Sequence, residues 1–414
     1  MNTKRLHFPL AELSAAGVSV WLDGLSRDLL VDGELDSLIA DRSVVGVTTN
    51  PATFAAALSR GDRYDEQLRE LAWSDAELDE AVFAITTTDS RACCAALRPV
   101  YERTDGVDGR VSIGVDPRLA RDTDAVVYQT HALWDEVGRP NLMVQIPATA
   151  EGLPAVTAAI ARGISVNVTL VFSLDRYRQV INAFAIGLEQ AWRAGRDLSK
   201  IHSVASFLVS RIDNEVDRRL DAIGSERALA LKGKTAVANA HLAYRIHEGF
   251  IAGSRWQRLA AAGARPQRPL WASTGVEDPS LYVTELVAPG TVNTMSGSTL
   301  AAFADHGTVD GDTMPGAFEA AREHLDTLRH VGVDYDDVTE TLEREGMAEF
   351  EASWDELGRA VSRQLRARRE LNPRSAQDGP NGPVSAGRGR AFQSIARIPA
   401  RRPLASQSKE PPRP

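Results

Sequence analysis

The chain has 414 residues, of which 43% are hydrophobic and 25% charged, the composition of an ordinary globular protein. Its net charge of −9 argues against nucleic acid or an anionic membrane as a partner, because phosphate backbones and acidic lipids attract basic surfaces. No uninterrupted apolar run approaches the roughly 20 residues that a membrane helix needs, and Glu12 interrupts the mildly apolar start, so neither a span nor a signal peptide is expected.

In chain order, short β-rich apolar runs alternate with longer helical stretches. The predicted strands are 18–23, 46–49, 111–115, 142–146, 166–170, 204–207, 269–273 and 292–295. They are apolar without clean alternation, as parallel strands covered on both faces should be. The stretch 51–110 is long for one crossover and is expected to hold two or three helices, as is 212–265. Within 51–110, adjacent Cys93 and Cys94 seldom close an unstrained bridge. They read as reduced thiols on a helix, which fits a cytoplasmic protein. Between the third and fourth strands, 122–138 reads as a helix with Asp and Thr capping candidates, Ala132, Leu133 and Trp134 inward, and Gly138 as its stop. After the eighth strand, helical patterning continues to about residue 370.

Eight strands with interleaved helices, and no glycine-rich turn after the first, predict a (β/α)8 barrel with extra helices over residues 1–370. From 371 to 414 there are eight Lys or Arg against two acids, eight prolines and almost no large apolar side chains. Such a segment cannot bury enough surface to offset its ordering entropy, so a disordered basic tail is expected.

In a barrel of this kind the reacting groups sit at the C-terminal strand ends. Those ends carry Asp23, Thr48, Thr49 and Asn50, then Gly114 to Asp116, Gln145, Asn167 and Thr169. Ser206 follows, with Arg211 just beyond, then Ser273, Thr274 and Asn293. The set holds no histidine pair, cysteine cluster or HExxH, so no metal site is predicted. Small hydroxyls and amides suit a polyhydroxylated ligand, and an arginine near Ser206 suits its phosphate. The residues therefore point to a phosphorylated sugar as the partner.

The stretches "VSVWLDGLSRDLL", "GVTTNPATF", "NLMVQIPATAEGLPA", "ISVNVTLVFSLDRY", "SVASFLVSRIDNEVD" and "RPLWASTG…TVNTM" resemble, in order and spacing, the strand motifs of the transaldolase family in its longer bacterial form. The resemblance spans about residues 17–368. It implies a barrel without metal or organic cofactor that moves a dihydroxyacetone unit between sugar phosphates in the pentose phosphate pathway, from sedoheptulose 7-phosphate to glyceraldehyde 3-phosphate, through a lysine Schiff base. Carried over by position, Asp23 is the acid/base aspartate and Asn50 a substrate contact. Asn167 and Thr169 hold a sugar hydroxyl and the catalytic water, Ser206 and Arg211 bind phosphate, and Ser273 is a further pocket residue.

Three positions depart from the family pattern. Gln145 stands where "KIPAT" has its lysine, and a carboxamide nitrogen cannot add to a ketone to give an iminium. Gly114 stands where "SIEVD" has the glutamate that helps the water move protons. The loop "STGVEDPSLY" is short and places Glu277 where a lysine is usual. The five lysines of the chain are Lys4, Lys200, Lys232, Lys234 and Lys409, and none is expected at a strand's C-terminal end. The leading expectation is a transaldolase relative that binds a phosphorylated sugar without Schiff-base transfer, in effect a pseudoenzyme. The alternatives are an enzyme in which Asp23 and a water perform non-covalent sugar-phosphate chemistry, and a protein with residual transaldolase activity or a structural role. Oligomeric state stays open.

Overall fold

A computed structural model describes residues 8–60, 62–275 and 280–371. Eight parallel strands close in sequence order into one barrel. They are β1 (Val18–Asp23), β2 (Val44–Thr48), β3 (Arg110–Gly114), β4 (Leu142–Pro147), β5 (Val166–Val171), β6 (Ser203–Leu208), β7 (Arg268–Ala272) and β8 (Thr291–Met295). Each lies within two residues of its predicted position, because runs of Val, Ile and Leu bounded by Gly, Pro or polar residues carry the signal. The basic segment predicted from 371 onward lies outside the described residues apart from Leu371.

The predicted helix at 122–138 is observed as Thr123–Val137. The Asp122 side chain accepts from the Ala125 backbone N–H, and left-handed Gly138 ends the helix. Its buried stripe is Val126, Thr130, Leu133 and Val137, so Leu133 points inward as expected whereas Ala132 and Trp134 are only half-buried. The i, i+3, i+4 spacing admits one of three consecutive residues to the core, not all three. The long crossovers hold more helices than expected. Pro51–Arg60, Asp65–Trp73, Leu78–Ala96 and Arg98–Arg103 separate β2 from β3. Val209–Ile223, Glu226–Leu229, Thr235–Ala252 and Ser254–Ala261 separate β6 from β7. Cys93 and Cys94 are buried free thiols on the Leu78–Ala96 helix.

Side chains inside the barrel stack in layers, since alternate residues of a strand face the same way. At the N-terminal end, Ser19 donates to Asp108 at 3.0 Å and accepts from Arg268 at 2.7 Å, while Arg268 and Asp108 pair at 3.1 Å. The next layer is apolar: Trp21, Met143, Val204, Leu270 and Val292 form a cluster apart from the main core. Gly46 makes room for it, because a Cβ there would lie 2.5 Å from the Trp21 indole. Above that plug the C-terminal layer turns polar. A long helix, Tyr335–Glu370, packs on elements that follow β2, β3 and β6 and on β5 itself, so it runs along the C-terminal rim.

Candidate functional site

The polar layer begins with Asp23, the last residue of β1, which lies opposite Thr48 in the β1–β2 register. Thr48 Oγ1 donates to Asp23 Oδ1 at 2.7 Å and lies 3.5 Å from Thr294 Oγ1. Burial raises the Asp23 pKa, and hydrogen bonds from the Thr48 and Asn50 side chains oppose the rise. Asn50 serves two ends. Its Oδ1 accepts from the Ala52 backbone N–H at 2.9 Å, and its amide remains available to Asp23.

Across the mouth, Gly114, Gln145 and Asn167 are successive register partners on β3, β4 and β5. Gln145 is buried to 9% exposure, and its carboxamide makes no hydrogen bond to another described residue. Gly114 leaves room beside it. A Cβ built there would meet only Gln145 Oε1, at 3.5 Å, an ordinary contact distance. Position 114 therefore accommodates a Cβ, and no close backbone approach or left-handed φ demands glycine there.

Asn167 is held on both sides. Its Nδ2 donates to Ser112 Oγ at 3.1 Å, and its Oδ1 accepts from Ser206 Oγ at 2.6 Å. Thr169 lies one inward position higher, opposite Pro147, and its carbonyl accepts from Ala148 N–H at 2.8 Å. Immediately after it the strand is irregular: Leu170 adopts φ +59° and the β5–β6 register shifts between Val168 and Val171. Such bulges re-aim strand ends at barrel rims.

Ser206 and Arg211, expected to act together, have separate partners. The Ser206 hydroxyl is engaged by Asn167, whereas Arg211, in the first turn of the Val209–Ile223 helix, donates from Nη1 to Glu349 of the rim helix. Arg211 Nε is buried without a hydrogen-bond partner among the described residues. Ser273 is tied to that same first turn. Its Oγ lies 2.9 Å from Ser210 Oγ, its carbonyl accepts from Ser210 N–H, and its φ of +55° is unusual for a non-glycine residue.

Asp116 and Thr274 are held by neighbouring structure, whereas both amide atoms of Asn293 are buried without a hydrogen-bond partner among the described residues. Asp116 caps the Pro117–Leu119 turn and pairs with Arg118 at 2.6 Å. Thr274 donates to the Thr294 carbonyl at 3.3 Å. Asn293 has the outward parity of Trp271, its register neighbour, so Thr294 takes its expected place in the mouth. Thr294, Ser210 and Glu349 are the additions to the expected set, which already held Thr48. Alternation along β8 finds Thr294, but no local pattern marks Glu349. Glu277 lies outside the described residues.

The described lysines stand elsewhere. Lys200 Nζ is 3.9 Å from Asp105, beside the start of β3 and hence at the N-terminal end. Lys232 pairs with Asp221 at 2.6 Å, and Lys234 Nζ donates to the Ala230 carbonyl at 2.9 Å. Lys4 and Lys409 lie outside the described residues. Among the described residues no group of three or more His, Cys, Asp or Glu side chains is placed to hold a metal ion, and no helix is long and apolar enough to cross a membrane. The described mouth thus presents a carboxylate whose pKa burial raises, several hydroxyls, three amides and one arginine.

Residues 20–361 match the family described as transaldolase/fructose-6-phosphate aldolase. The chain is 63% identical over 363 residues to a transaldolase of Thermobifida fusca, covering 87% of this chain and 99% of that one. It is 61% identical to a transaldolase of Acidothermus cellulolyticus, covering 87% and 98% of the two chains, and 58% identical to one of Mycolicibacterium smegmatis, covering 86% and 98%. Matched over most of its length, with the barrel that its strands predict, the chain belongs to the transaldolase family.

Proposed function

We propose that this protein holds a phosphorylated sugar in its barrel mouth without capturing it as a covalent imine. The observation that carries this reading is Gln145. The resemblance puts the family's lysine at that position, and a carboxamide lone pair is delocalised into its carbonyl and does not attack a ketone. Gly114, next to it in register, removes the carboxylate expected to move protons through water. Asp23, Asn50, Asn167, Thr169, Ser206, Arg211 and Ser273 keep the groups that would orient hydroxyls and phosphate. The reading includes a cytoplasmic protein of one barrel domain to residue 370 with a basic tail from 371, acting as a pseudoenzyme of the pentose phosphate pathway's transferase family.

Two measurements test it. Borohydride reduction in the presence of fructose 6-phosphate should leave the protein mass unchanged; a reduced adduct on any lysine sinks the claim. Thermal-shift titration with fructose 6-phosphate should raise the melting temperature, since a ligand specific to the native state stabilises it.

A second reading rests on Asp23. Its raised pKa and its hydrogen bond from Thr48 suit a general acid or base that enolises or isomerises a bound sugar phosphate through a water. Deuterium wash-in from solvent into a carbon-bound position of the sugar, lost in Asp23→Asn, would favour it over simple binding.

A further inference from the structure

The Tyr335–Glu370 helix meets the barrel rim closely at Gly346, where a Cβ would lie 3.0 Å from Leu170 and 3.5 Å from the Phe172 ring. That approach brings three carboxylates of the helix onto arginines of the rim and its helices: Asp337 onto Arg219, Glu343 onto Arg176 and Glu349 onto Arg211. The three pairs differ in kind. Arg219 also has Glu215 at 2.7 Å, and Arg176 is held by both oxygens of Glu343 and by Gln179. For Arg211, Glu349 is the sole carboxylate partner among the described residues, and the Nε side of its guanidinium is buried without an acceptor.

A bidentate oxyanion takes two neighbouring N–H groups of a guanidinium. The unpartnered Nε edge of Arg211 is such a fork, while the opposite end already faces a carboxylate. A phosphoryl group entering there meets a cation whose charge is largely neutralised and a like charge a few ångströms away. We propose that Glu349 is a specificity-determining residue of this mouth, an internal carboxylate that lowers the affinity of Arg211 for phosphate. The proposal rests on the sugar-phosphate reading for Arg211 and adds a second residue, 138 positions away, that tunes it. Its consequence is that binding in the native protein depends more on the sugar hydroxyls than on the phosphate.

The test is calorimetric titration of the full chain with inorganic phosphate and, separately, fructose 6-phosphate. Wild type is compared with Glu349→Gln and with the double variant Glu349→Gln, Arg211→Gln. Glutamine keeps the size of Glu349 and one acceptor oxygen for Arg211, and removes its charge. The expected result is that Glu349→Gln binds inorganic phosphate about tenfold more tightly than wild type, about 1.4 kcal/mol, with the gain lost in the double variant. A merely structural role for Glu349 would alter the melting temperature without raising affinity. Unchanged or weaker phosphate binding by Glu349→Gln overturns the proposal, as does a gain that survives loss of Arg211. The sugar reading fails separately. If Glu349→Gln gains phosphate affinity through Arg211 but neither protein prefers fructose 6-phosphate to phosphate, the internal carboxylate stands and the sugar does not. If wild type binds fructose 6-phosphate and Glu349→Gln binds neither ligand better, the sugar stands and the internal carboxylate falls.

Discussion

The two ends of the barrel interior are both polar, yet their polar groups engage one another to different degrees. At the N-terminal end, Ser19, Asp108 and Arg268 engage one another, and buried Arg110 donates to the Gly106 and Pro140 carbonyls and to Ser165. Burial, together with Arg110 and Arg268, pushes the pKa of nearby His202 down to about 2, so it stays neutral among those cations. At the C-terminal end, Gln145 and Arg211 Nε lack partners among the described residues, and position 114 holds no side chain at all. Desolvated polar groups that satisfy one another close a barrel, and those left partly unsatisfied are available to a ligand. The difference is one of degree, since Asn141 Oδ1 and Gln267 Oε1, beside the N-terminal starts of β4 and β7, are also buried without a partner among the described residues.

The widest test of this contrast works at the mouth. Gln145→Lys together with Gly114→Glu should restore borohydride-trappable imine formation with fructose 6-phosphate, because it returns a primary amine and a neighbouring carboxylate to positions where a Cβ at 114 meets only ordinary contact. Gln145→Lys alone should turn over about 10²–10⁴-fold more slowly than the double variant, the usual worth of a positioned acid or base. Equal rates would mean that Gly114 is incidental. The next largest effect belongs to the opposite end. Asp108→Ala leaves Arg268 in a confined site with no carboxylate partner and should cost about 3 kcal/mol in urea unfolding. A loss under ~1 kcal/mol would show that the N-terminal layer is as loosely satisfied as the mouth.

Asp23 provides a pH test. Its folded-state pKa is raised by burial, so its contribution to stability is fully present below the ordinary carboxylate pKa and is lost as pH rises through the folded value. Asp23→Asn should therefore raise the melting temperature at neutral pH, with the gain vanishing in acid. A gain independent of pH would refute the assignment. Glu349→Gln should have the smallest effect on stability, within about 1 kcal/mol, because the Glu349 side chain is 55% exposed and solvent screens the pair. Its effect on phosphate affinity should exceed its effect on folding.

Much of this could be read along the chain. All eight strands follow from apolar runs of β-formers, and the Asp122 cap and Gly138 stop of one helix follow from residue type. Which strand residues face the mouth follows from alternation, although Asn293 shows that a polar side chain at a strand end can point outward, with Thr294 inward instead. Ala132 and Trp134 look like core residues by their apolarity, whereas the helical period admits only Leu133. The number of helices in the long crossovers is not legible in the sequence, since short helices such as Glu226–Leu229 and Arg98–Arg103 are too brief to show a period.

By itself the sequence determined the (β/α)8 barrel, the family and the identity of Gln145 and Gly114, because strand pattern and side-chain chemistry are local properties. Tertiary structure alone decided that Ser206 serves Asn167, that position 114 has room beside Gln145, and that Glu349 reaches Arg211. Those relations join residues far apart in the chain, and only closure of the barrel and docking of the last helix bring their atoms within hydrogen-bond reach.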